Sequence, residues 1–277
     1  MTGKKIILLD VDGTLVDYHG QLPASAADAV KRAIANGHEV FMCTGRARAE
    51  VQQELWDLGL DGLIGGNGNY IEHHGEAVLH NSLSEEDCRA IVDWCHERGH
   101  EFYLEANAGL FASENFREAA RPVMTIYAAR KGKPAPAAGE TGFHGMVYGQ
   151  PLVRDDVMKI SYILDSIEDH EAAKKAFPNL QHGTWGGRGA EALFGDIGVY
   201  GITKAHAVEA LLEHLGADKA DAIAFGDATV DIPMFEASGY AVAMGDASQD
   251  VKDAADHITT DVEEDGIANA FKHLGLI

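Results

Sequence analysis

The sequence predicts an α/β fold: a doubly wound, mostly parallel sheet with an α+β domain inserted into the chain. Short, continuously apolar runs recur at residues 6–9, 40–43 and 222–225, as expected of strands that are buried on both faces of a parallel sheet. Segments with helical periodicity separate these runs, and such alternation favours an open sheet with helices on both faces. Between about residues 83 and 196 this pattern changes, which indicates the insertion.

In the first part of the chain the elements follow in βαβα order. A buried strand over residues 5–9 ends at Asp10. A helix begins near Ser25 and ends at Gly37, since glycine is a common helix stop. A second strand over residues 40–43 precedes Thr44. A second helix is predicted up to about Leu58, and a short strand at 62–64 follows.

The middle of the chain predicts a different kind of domain. A helix over residues 84–98 precedes β-like segments at 102–104 and 158–164, separated by stretches rich in glycine or proline. We therefore predict a sheet-forming core at residues 1–82 and 197–277, and an inserted domain at 83–196. After the insertion, a helix at 204–215, a strand at 222–225 and a strand at 240–244 resume the first pattern.

Charge and composition exclude several classes of protein. Acidic residues number 44 against 22 Lys plus Arg, and the formal net charge is −22. This charge disfavours nucleic acid and anionic lipid as partners, because both carry phosphate groups. No apolar run approaches the roughly 20 residues of a membrane span. Heptads and long apolar stripes that would indicate an oligomer are not evident, so the oligomeric state is left open.

The expected location is the cytoplasm. Three scattered cysteines, Cys43, Cys88 and Cys95, predict no disulfide framework. The apolar stretch near the N-terminus is broken by Asp10 and Asp12 before a signal sequence could form.

Two carboxylates follow the first strand. Asp10 and Asp12 are two positions apart, so in extended backbone they share a face. Adjacent carboxylates repel each other unless a cation, a proton or a substrate intervenes. Taken alone, the segment is equally consistent with a simple turn, since Asp and Gly favour turns.

Other strand ends favour a functional site. Thr44, Asp227 and Asp231 follow predicted parallel strands, and Lys204 begins a helix. Parallel sheets bind ligands at the carboxyl ends of their strands. Carboxylates, a hydroxyl and an ammonium group are the side chains that phosphoryl transfer requires, and oxygen ligands favour Mg²⁺.

These motifs resemble the haloacid dehalogenase superfamily. The matching segments are Asp10-Val11-Asp12-Gly13-Thr14-Leu15, Thr44-Gly45-Arg46, Lys204, and Gly226-Asp227 with Asp231. More narrowly, the chain resembles the Cof-type phosphatases, which carry a large α/β cap domain between their second and third motifs. The resemblance covers nearly the whole chain and implies a Rossmann-like core, with residues 83–196 as the cap that selects the substrate.

The resemblance also implies roles for individual residues. Asp10 would attack phosphorus and form an aspartyl phosphate, while Asp12 would act as general acid and base. Thr44 would bind a phosphoryl oxygen, and Lys204 would offset its charge while pairing with Asp10. The implied Mg²⁺ ligands are Asp10, Asp12 through its backbone carbonyl, Asp227 and Asp231, the last by supporting coordinated waters. The residues assigned to the substrate or its phosphate are Gly45, Arg46 and Asp246, although Arg46 is equally consistent with capping local structure. The implied substrate is a small organic phosphate ester such as a sugar phosphate.

Two positions depart from the family pattern. Many members have Asn where this chain has Val230, and relatives usually have Asn where this chain has Asp246. The first change removes a side chain that can form hydrogen bonds. The second places an anion beside the expected phosphate.

Three other functions are compatible with parts of the pattern. A phosphomutase or phosphotransferase would pass the phosphoryl group to an acceptor other than water. A receiver domain would hold an aspartyl phosphate without turnover, but it lacks a counterpart of Asp12 and is less than half as long. A binding protein without activity is suggested only by the departures at 230 and 246. The pair His73-His74 is interpreted as an exposed turn between strands rather than as a metal site.

Overall fold

The structure is a computed structural model that describes residues 3–130, 132, 134–137, 143–187 and 189–277. These residues form two compact units. The core unit comprises residues 1–46, 51–80 and 202–277, and the inserted unit comprises residues 47–50 and 81–201.

The secondary-structure elements follow the chain in three groups. The first group, in the core unit, contains β1 (Ile6–Leu9), α1 (Ala24–Ala35), β2 (Glu39–Cys43), α2 (Gln53–Trp56), β3 (Gly62–Gly65), β4 (Tyr70–His73) and β5 (Glu76–His80). The inserted unit contains α3 (Glu85–Arg98), β6 (Phe102–Ala106), β7 (Gly109–Ala112), α4 (Phe116–Arg130), β8 (Met146–Val147), β9 (Val157–Ile163), α5 (Ile167–Ala176), β10 (Gln181–Trp185) and β11 (Phe194–Gly198). The core unit then continues with α6 (Lys204–Leu215), β12 (Ala222–Gly226), α7 (Ile232–Ala237), β13 (Tyr240–Ala243), α8 (Gln249–Asp253), β14 (His257–Ile258) and α9 (Gly266–Leu274).

The core unit is built on an eight-stranded sheet in the order β14-β13-β12-β1-β2-β3-β4-β5. The strands from β14 to β3 are parallel, and β4 and β5 are antiparallel additions at one edge. The central strand β1 is fully buried, which explains its uninterrupted apolar sequence. Because β12, β1 and β2 are neighbours, their carboxyl ends meet at one edge of the sheet. The predicted α/β fold is confirmed.

The inserted unit has its own six-stranded sheet, in the order β10-β11-β9-β6-β7-β8. All its strand pairs are antiparallel except β7 with β8. Its buried apolar residues come from α3 and from the strands β6, β9 and β11, among them Cys88, Ile91, Leu104, Ile160 and Tyr162. This unit therefore has a hydrophobic core of its own.

The structure differs from two details of the predicted elements. The helix expected to continue to Leu58 is split into a short 3₁₀ turn, Arg48–Glu50, and α2, because the backbone of Gln52 is extended. The predicted domain bounds at residues 82/83 and 196/197 remain a prediction. The compact units change at 80/81 and 201/202, since β11 crosses position 196 as one continuous strand.

Among the described residues, no helix combines the length and the apolar composition needed to cross a membrane. All three cysteines are buried as free thiols.

Candidate active site

The loop after β1 places Asp10 at the carboxyl edge of the core sheet. The Asp10 amide donates a hydrogen bond to the carbonyl of Phe225 on the adjacent strand, at 3.0 Å. The chain then folds back on itself, and the Leu15 amide donates to the Asp10 carbonyl at 3.2 Å. Asp10 is 7% exposed, so these backbone hydrogen bonds hold it in a buried position.

Glycine is required at the turn of this loop. Gly13 has φ +91°, and a Cβ atom there would lie 2.6 Å from Oδ2 of Asp227. Any other residue would therefore be strained by its backbone conformation and would also collide with a carboxylate. The glycine allows the loop after β1 to approach the loop after β12.

Asp227 follows β12 and accepts two side-chain hydrogen bonds. Thr14 donates its hydroxyl hydrogen to Oδ1 at 2.9 Å, and Tyr18 donates its phenolic hydrogen to Oδ2. Burial raises the pKa of Asp227 to about 6, against the lowering effect of these two hydrogen bonds. Neither donor had been given a role from the sequence: Thr14 lies within the quoted motif, whereas no sequence signal identified Tyr18.

Lys204 is the first residue of α6 and is buried, with 2% exposure. Thr203 caps this helix by accepting a hydrogen bond from the His206 amide. Gly68, with φ +109°, lets the loop after β3 approach the start of α6, because a Cβ there would lie 2.5 Å from the Thr203 carbonyl oxygen.

All three hydrogens of the Lys204 ammonium are used. Nζ donates to Oδ1 of Asp10 at 2.7 Å, to Oδ1 of Asp231 at 2.6 Å and to the Cys43 carbonyl at 2.7 Å. Burial alone would lower the pKa of Lys204, but Asp10 and Asp231 outweigh it and raise the pKa. The ammonium group therefore acts as a fixed positive charge and not as a general acid.

Asp231 is fully buried and uses both of its oxygens within the protein. Oδ1 accepts from Lys204, and Oδ2 accepts from the amides of Asp227 and Ala228 at 3.2 and 3.0 Å. A Cβ at Gly226 would lie 2.6 Å from the Cβ of Asp231, so the glycine permits this packing. Asp231 thus organises the loop after β12.

Three carboxylates converge at this edge of the sheet. Asp10, Asp227 and Asp231 each offer an oxygen within 4.8 Å of the others. The pKa of Asp10 is raised to about 8. Burial is the largest cause, Lys204 opposes it, and Asp231 adds to it. Lys204 supplies one positive charge against three carboxylates, so the cluster can accommodate a divalent cation. The oxygen-only donor set suits Mg²⁺.

Asp12 lies outside this cluster of three carboxylates. Its side chain is 52% exposed and accepts two hydrogen bonds from Arg46, from Nε at 2.9 Å and from Nη2 at 2.7 Å. The sequence left two roles open for Arg46, either capping local structure or contacting the substrate. In the structure its guanidinium binds Asp12, and a role at the substrate stays a prediction. Planar pairs of this kind fix the orientation of both side chains.

The remaining predicted residues lie around the cluster. Thr44, which is 2% exposed, follows β2 and accepts a hydrogen bond at its hydroxyl oxygen from the Arg46 amide at 3.2 Å. Gly45 packs closely against Asn67, since a Cβ there would lie 3.1 Å from its Oδ1. Asp246 is exposed in the loop after β13, and its negative charge contributes to the raised pKa of Asp227. Val230, which departs from the family pattern, is 47% exposed.

Comparison with known proteins identifies relatives along the whole chain. A family model described as haloacid dehalogenase-like hydrolase matches residues 7–271. The chain is 30% identical to YkrA of Bacillus subtilis (strain 168), over 99% of this chain and 98% of that protein. It is 27% identical to a phosphatase from the same organism, YwtE, named for 5-amino-6-(5-phospho-D-ribitylamino)uracil, over 95% of this chain and 96% of that protein.

A solved structure supports the same relationship. A sugar phosphatase of subclass IIB of this superfamily superposes with a TM-score of 0.75 and 27% identity, covering 99% of this chain and all of that chain.

Proposed function

The chain belongs to the haloacid dehalogenase-like hydrolases, and from this premise we propose that it is a magnesium-dependent phosphatase that hydrolyses a small organic phosphate monoester through an aspartyl phosphate on Asp10. The observation that carries the proposal is the contact of Asp10 with Lys204 at 2.7 Å inside a buried cluster with Asp227 and Asp231. Named phosphatases among the relatives support the class of reaction.

The first displacement uses Asp10 as the nucleophile. Lys204 holds Oδ1, which leaves Oδ2 to attack phosphorus. A bond forms between this oxygen and phosphorus while the bond from phosphorus to the alcohol oxygen breaks. The alcohol leaves with a proton from Asp12, and such proton transfer typically contributes 10² to 10⁴-fold. Covalent catalysis splits one difficult hydrolysis into two easier displacements.

The second displacement releases phosphate. Asp12 takes a proton from a water molecule, whose oxygen attacks phosphorus and expels the Asp10 carboxylate. The pair with Arg46 holds the Asp12 side chain in one orientation. A substrate phosphate that accepts hydrogen bonds from Arg46 would compete with Asp12 for the guanidinium. Arg46 would thereby couple phosphate binding to the acid and base roles of Asp12.

The residues around the cluster fit Mg²⁺. Asp10, the backbone carbonyl of Asp12 and Asp227 would hold the ion, and Asp231 would support its coordinated waters. When bound, the ion neutralises charge on the transferred phosphoryl group. Thr44 offers a hydroxyl hydrogen to a phosphoryl oxygen, since its oxygen already accepts from the Arg46 amide.

The substrate class follows from relatives rather than from a contact in this chain. One relative is named as a phosphatase of a phosphorylated ribityl compound, and one solved structure is named a sugar phosphatase. We propose a sugar phosphate or similar metabolite, with the inserted unit as the counterpart of the specificity cap.

A turnover experiment tests the proposal. Purified protein is incubated with p-nitrophenyl phosphate and with a panel of sugar phosphates, with Mg²⁺ or with EDTA. We expect many equivalents of phosphate per protein, dependent on Mg²⁺. Rapid quenching followed by borohydride reduction should convert residue 10 to homoserine, which mass spectrometry detects. Release of one equivalent or none would contradict hydrolysis, and transfer to an added sugar in preference to water would indicate a phosphotransferase.

A further inference from the structure

A second group of metal-binding side chains lies at the other end of the core sheet from Asp10. Glu39 is the first residue of β2, and His73 is the last residue of the antiparallel strand β4. His73 pairs with Gly62 at the start of β3. Glu39 and His73 therefore both lie at the amino ends of the parallel strands. His74 follows in the turn to β5, and His214 approaches from the last turn of α6. We call Glu39, His73, His74 and His214 the histidine cluster.

The ligand atoms of this cluster are close together. Glu39, His73 and His74 each offer one ligand atom within 4.8 Å of the others. On a tetrahedral Zn²⁺ with bonds of 2.0–2.1 Å, ligand atoms lie about 3.3 Å apart, so small side-chain rotations would suffice. A surface depression of about 460 Å³, lined by His73, His74, His214 and the β4–β5 hairpin, connects the cluster to solvent.

Among the residues that the structure describes, two shielded atoms of the cluster have no hydrogen-bond partner. Glu39 Oε1 accepts from Lys4 Nζ at 2.6 Å, but Glu39 Oε2 is buried without a partner. The Nδ1 atom of His73 lies 3.1 Å from Nε2 of His214, but Nε2 of His73 is also buried without a partner. Leaving a buried polar atom unpaired costs free energy, so a bound ligand at these atoms would be stabilising. A hydrogen bond between the two histidines satisfies Nδ1 of His73. It does not satisfy Nε2 of His73 or Oε2 of Glu39.

We propose that Glu39, His73 and His74 bind a divalent transition-metal ion, with Zn²⁺ as the first choice. In this arrangement Nε2 of His73 and Oε2 of Glu39 bind the metal. The Nδ1–H of His73 then donates to His214, as the second ring nitrogen of a metal-bound histidine almost always does. Two imidazoles and one carboxylate favour zinc and similar metals over Mg²⁺, which prefers oxygen ligands. A fourth position remains for water from the depression.

A neighbouring carboxylate orients the turn that carries His74. Oδ1 of Asp61 lies 3.9 Å from Nε2 of His74, and the Asp61 carbonyl accepts the His74 amide at 2.7 Å. Asp61 thereby fixes the turn that carries His74, whose φ of +49° is uncommon for a residue other than glycine.

The site does not depend on the phosphatase mechanism, so the two proposals can fail separately. It would join the amino end of β2, the β4–β5 hairpin and the C-terminal turn of α6. The first residue of α6 is Lys204, so the metal would hold the opposite end of the helix that enters the active site.

Metal titration of the full chain, freed of any histidine tag and kept in millimolar Mg²⁺, tests the proposal. Isothermal titration calorimetry should give one equivalent of Zn²⁺. Co²⁺ should give the intense visible absorption bands of a nitrogen-ligated, low-coordinate ion, and bound Zn²⁺ should raise Tm. His73→Gln should abolish the Co²⁺ bands, and Glu39→Gln should weaken Zn²⁺ binding at least tenfold.

The matched control is His80→Gln, since His80 lies at the far end of the same hairpin. This variant should bind both metals as the wild type does, and circular dichroism should show that all variants are folded. The proposal is overturned if wild-type protein gives no intense Co²⁺ bands, if His73→Gln keeps them, or if His80→Gln loses them equally.

Discussion

Each unit of the molecule surrounds a lysine with carboxylates, but the two clusters differ in construction. In the core unit, Lys204 contacts Asp10 at 2.7 Å and Asp231 at 2.6 Å. In the inserted unit, Nζ of Lys159 lies 3.3 Å from Oε2 of Glu105 and 4.0 Å from Asp196. The ingredients are alike, so the difference lies in how the backbone brings them together.

In the inserted unit, strand register alone accounts for the cluster. Glu105 and Lys159 are direct partners of β6 and β9, and Ser161 is the partner of Asp196 in β11. Ser161 also donates its hydroxyl hydrogen to Glu105 at 2.7 Å. Side chains on one face of neighbouring strands meet in any such sheet.

In the core unit, the carboxylates come from loops after separate strands and require glycines to approach each other. Gly13 and Gly226 each leave space that a Cβ would fill. The result is a buried excess of negative charge that neighbouring side chains do not neutralise. We infer that the cross-strand cluster stabilises its sheet, whereas the strand-end cluster holds a cation and a phosphate.

The largest expected difference concerns the acidic partners of the two lysines. Asp10→Asn and Glu105→Gln each replace a buried, lysine-bound carboxylate with an amide. Asp10→Asn should lower kcat by on the order of 10⁴-fold or more, as loss of a covalent nucleophile does, and leave the fold intact. Glu105→Gln should keep kcat on p-nitrophenyl phosphate in the wild-type range. Phosphate release and thermal unfolding measure both effects; full activity of Asp10→Asn would reject the mechanism.

A smaller difference is expected for the lysines themselves. Lys204→Met should lower kcat by about 10² to 10³-fold, because it removes a preorganised charge at the reacting carboxylate. It should also cost about 3–5 kcal/mol of unfolding free energy, since both partners stay buried. Lys159→Met should lower stability less and leave kcat on a small ester nearly unchanged. Urea unfolding and steady-state kinetics test the pair, and equal losses of kcat would remove the distinction between the clusters.

Protons and Mg²⁺ should compete only in the core unit. Without metal, the pKa of Asp10 is about 8 and that of Asp227 about 6, both raised by burial. Mg²⁺ binding requires both carboxylates to be ionised, so the affinity should rise with pH up to about 8 and then level off. Burial also raises the pKa of Glu105, but that carboxylate binds no metal in this proposal.

Calorimetry in buffers of different ionisation enthalpy should detect about one proton released per Mg²⁺ at pH 7, and few at pH 9. Asp10→Asn should remove most of this release, whereas Glu105→Gln should not change it. Affinity that is independent of pH between 6 and 8 would contradict the assignment of these ligands.

The smallest effect concerns the departure at Asp246. Replacing this exposed anion with Asn should lower KM for a phosphate ester by about two- to fivefold, since one repulsive charge near the site is lost and solvent screens it. Asp93→Asn, on the exposed side of α3, is the matched charge change in the inserted unit and should leave KM unchanged. Steady-state kinetics at low and high salt measure both, and the Asp246 effect should shrink with salt. An increase in KM would instead show that Asp246 assists binding.

Much of the fold could be predicted from the sequence because each buried strand is a local pattern. The apolar runs of β1, β2 and β12 predicted the parallel sheet. The change near residue 83 predicted an inserted domain, whose bounds stay a prediction. The family resemblance is confirmed. The split of the second helix could not be predicted, because residues 47–50 pack with the inserted unit rather than continuing into α2.

The candidate site was predicted as a set of residues with a single side-chain pair, Lys204 with Asp10, which the family resemblance implied. Asp10, Lys204, Asp227 and Asp231 do converge, whereas the side chain of Asp12 is bound to Arg46 instead. The roles of these residues stay predictions until the variants are measured. The hydrogen bonds from Thr14 and Tyr18 to Asp227 had no signal in the sequence that would assign them.

The sequence by itself determined the order of strands and helices and the chemical groups at the strand ends, because these depend on local periodicity and on residue type. Tertiary structure alone decided which groups touch. Lys204 meets Asp10 across 194 positions only because α6 packs on the sheet with its first residue at the carboxyl edge. The histidine cluster likewise forms from a strand start, a hairpin turn and a helix end, since such distances depend on packing rather than on local backbone preference.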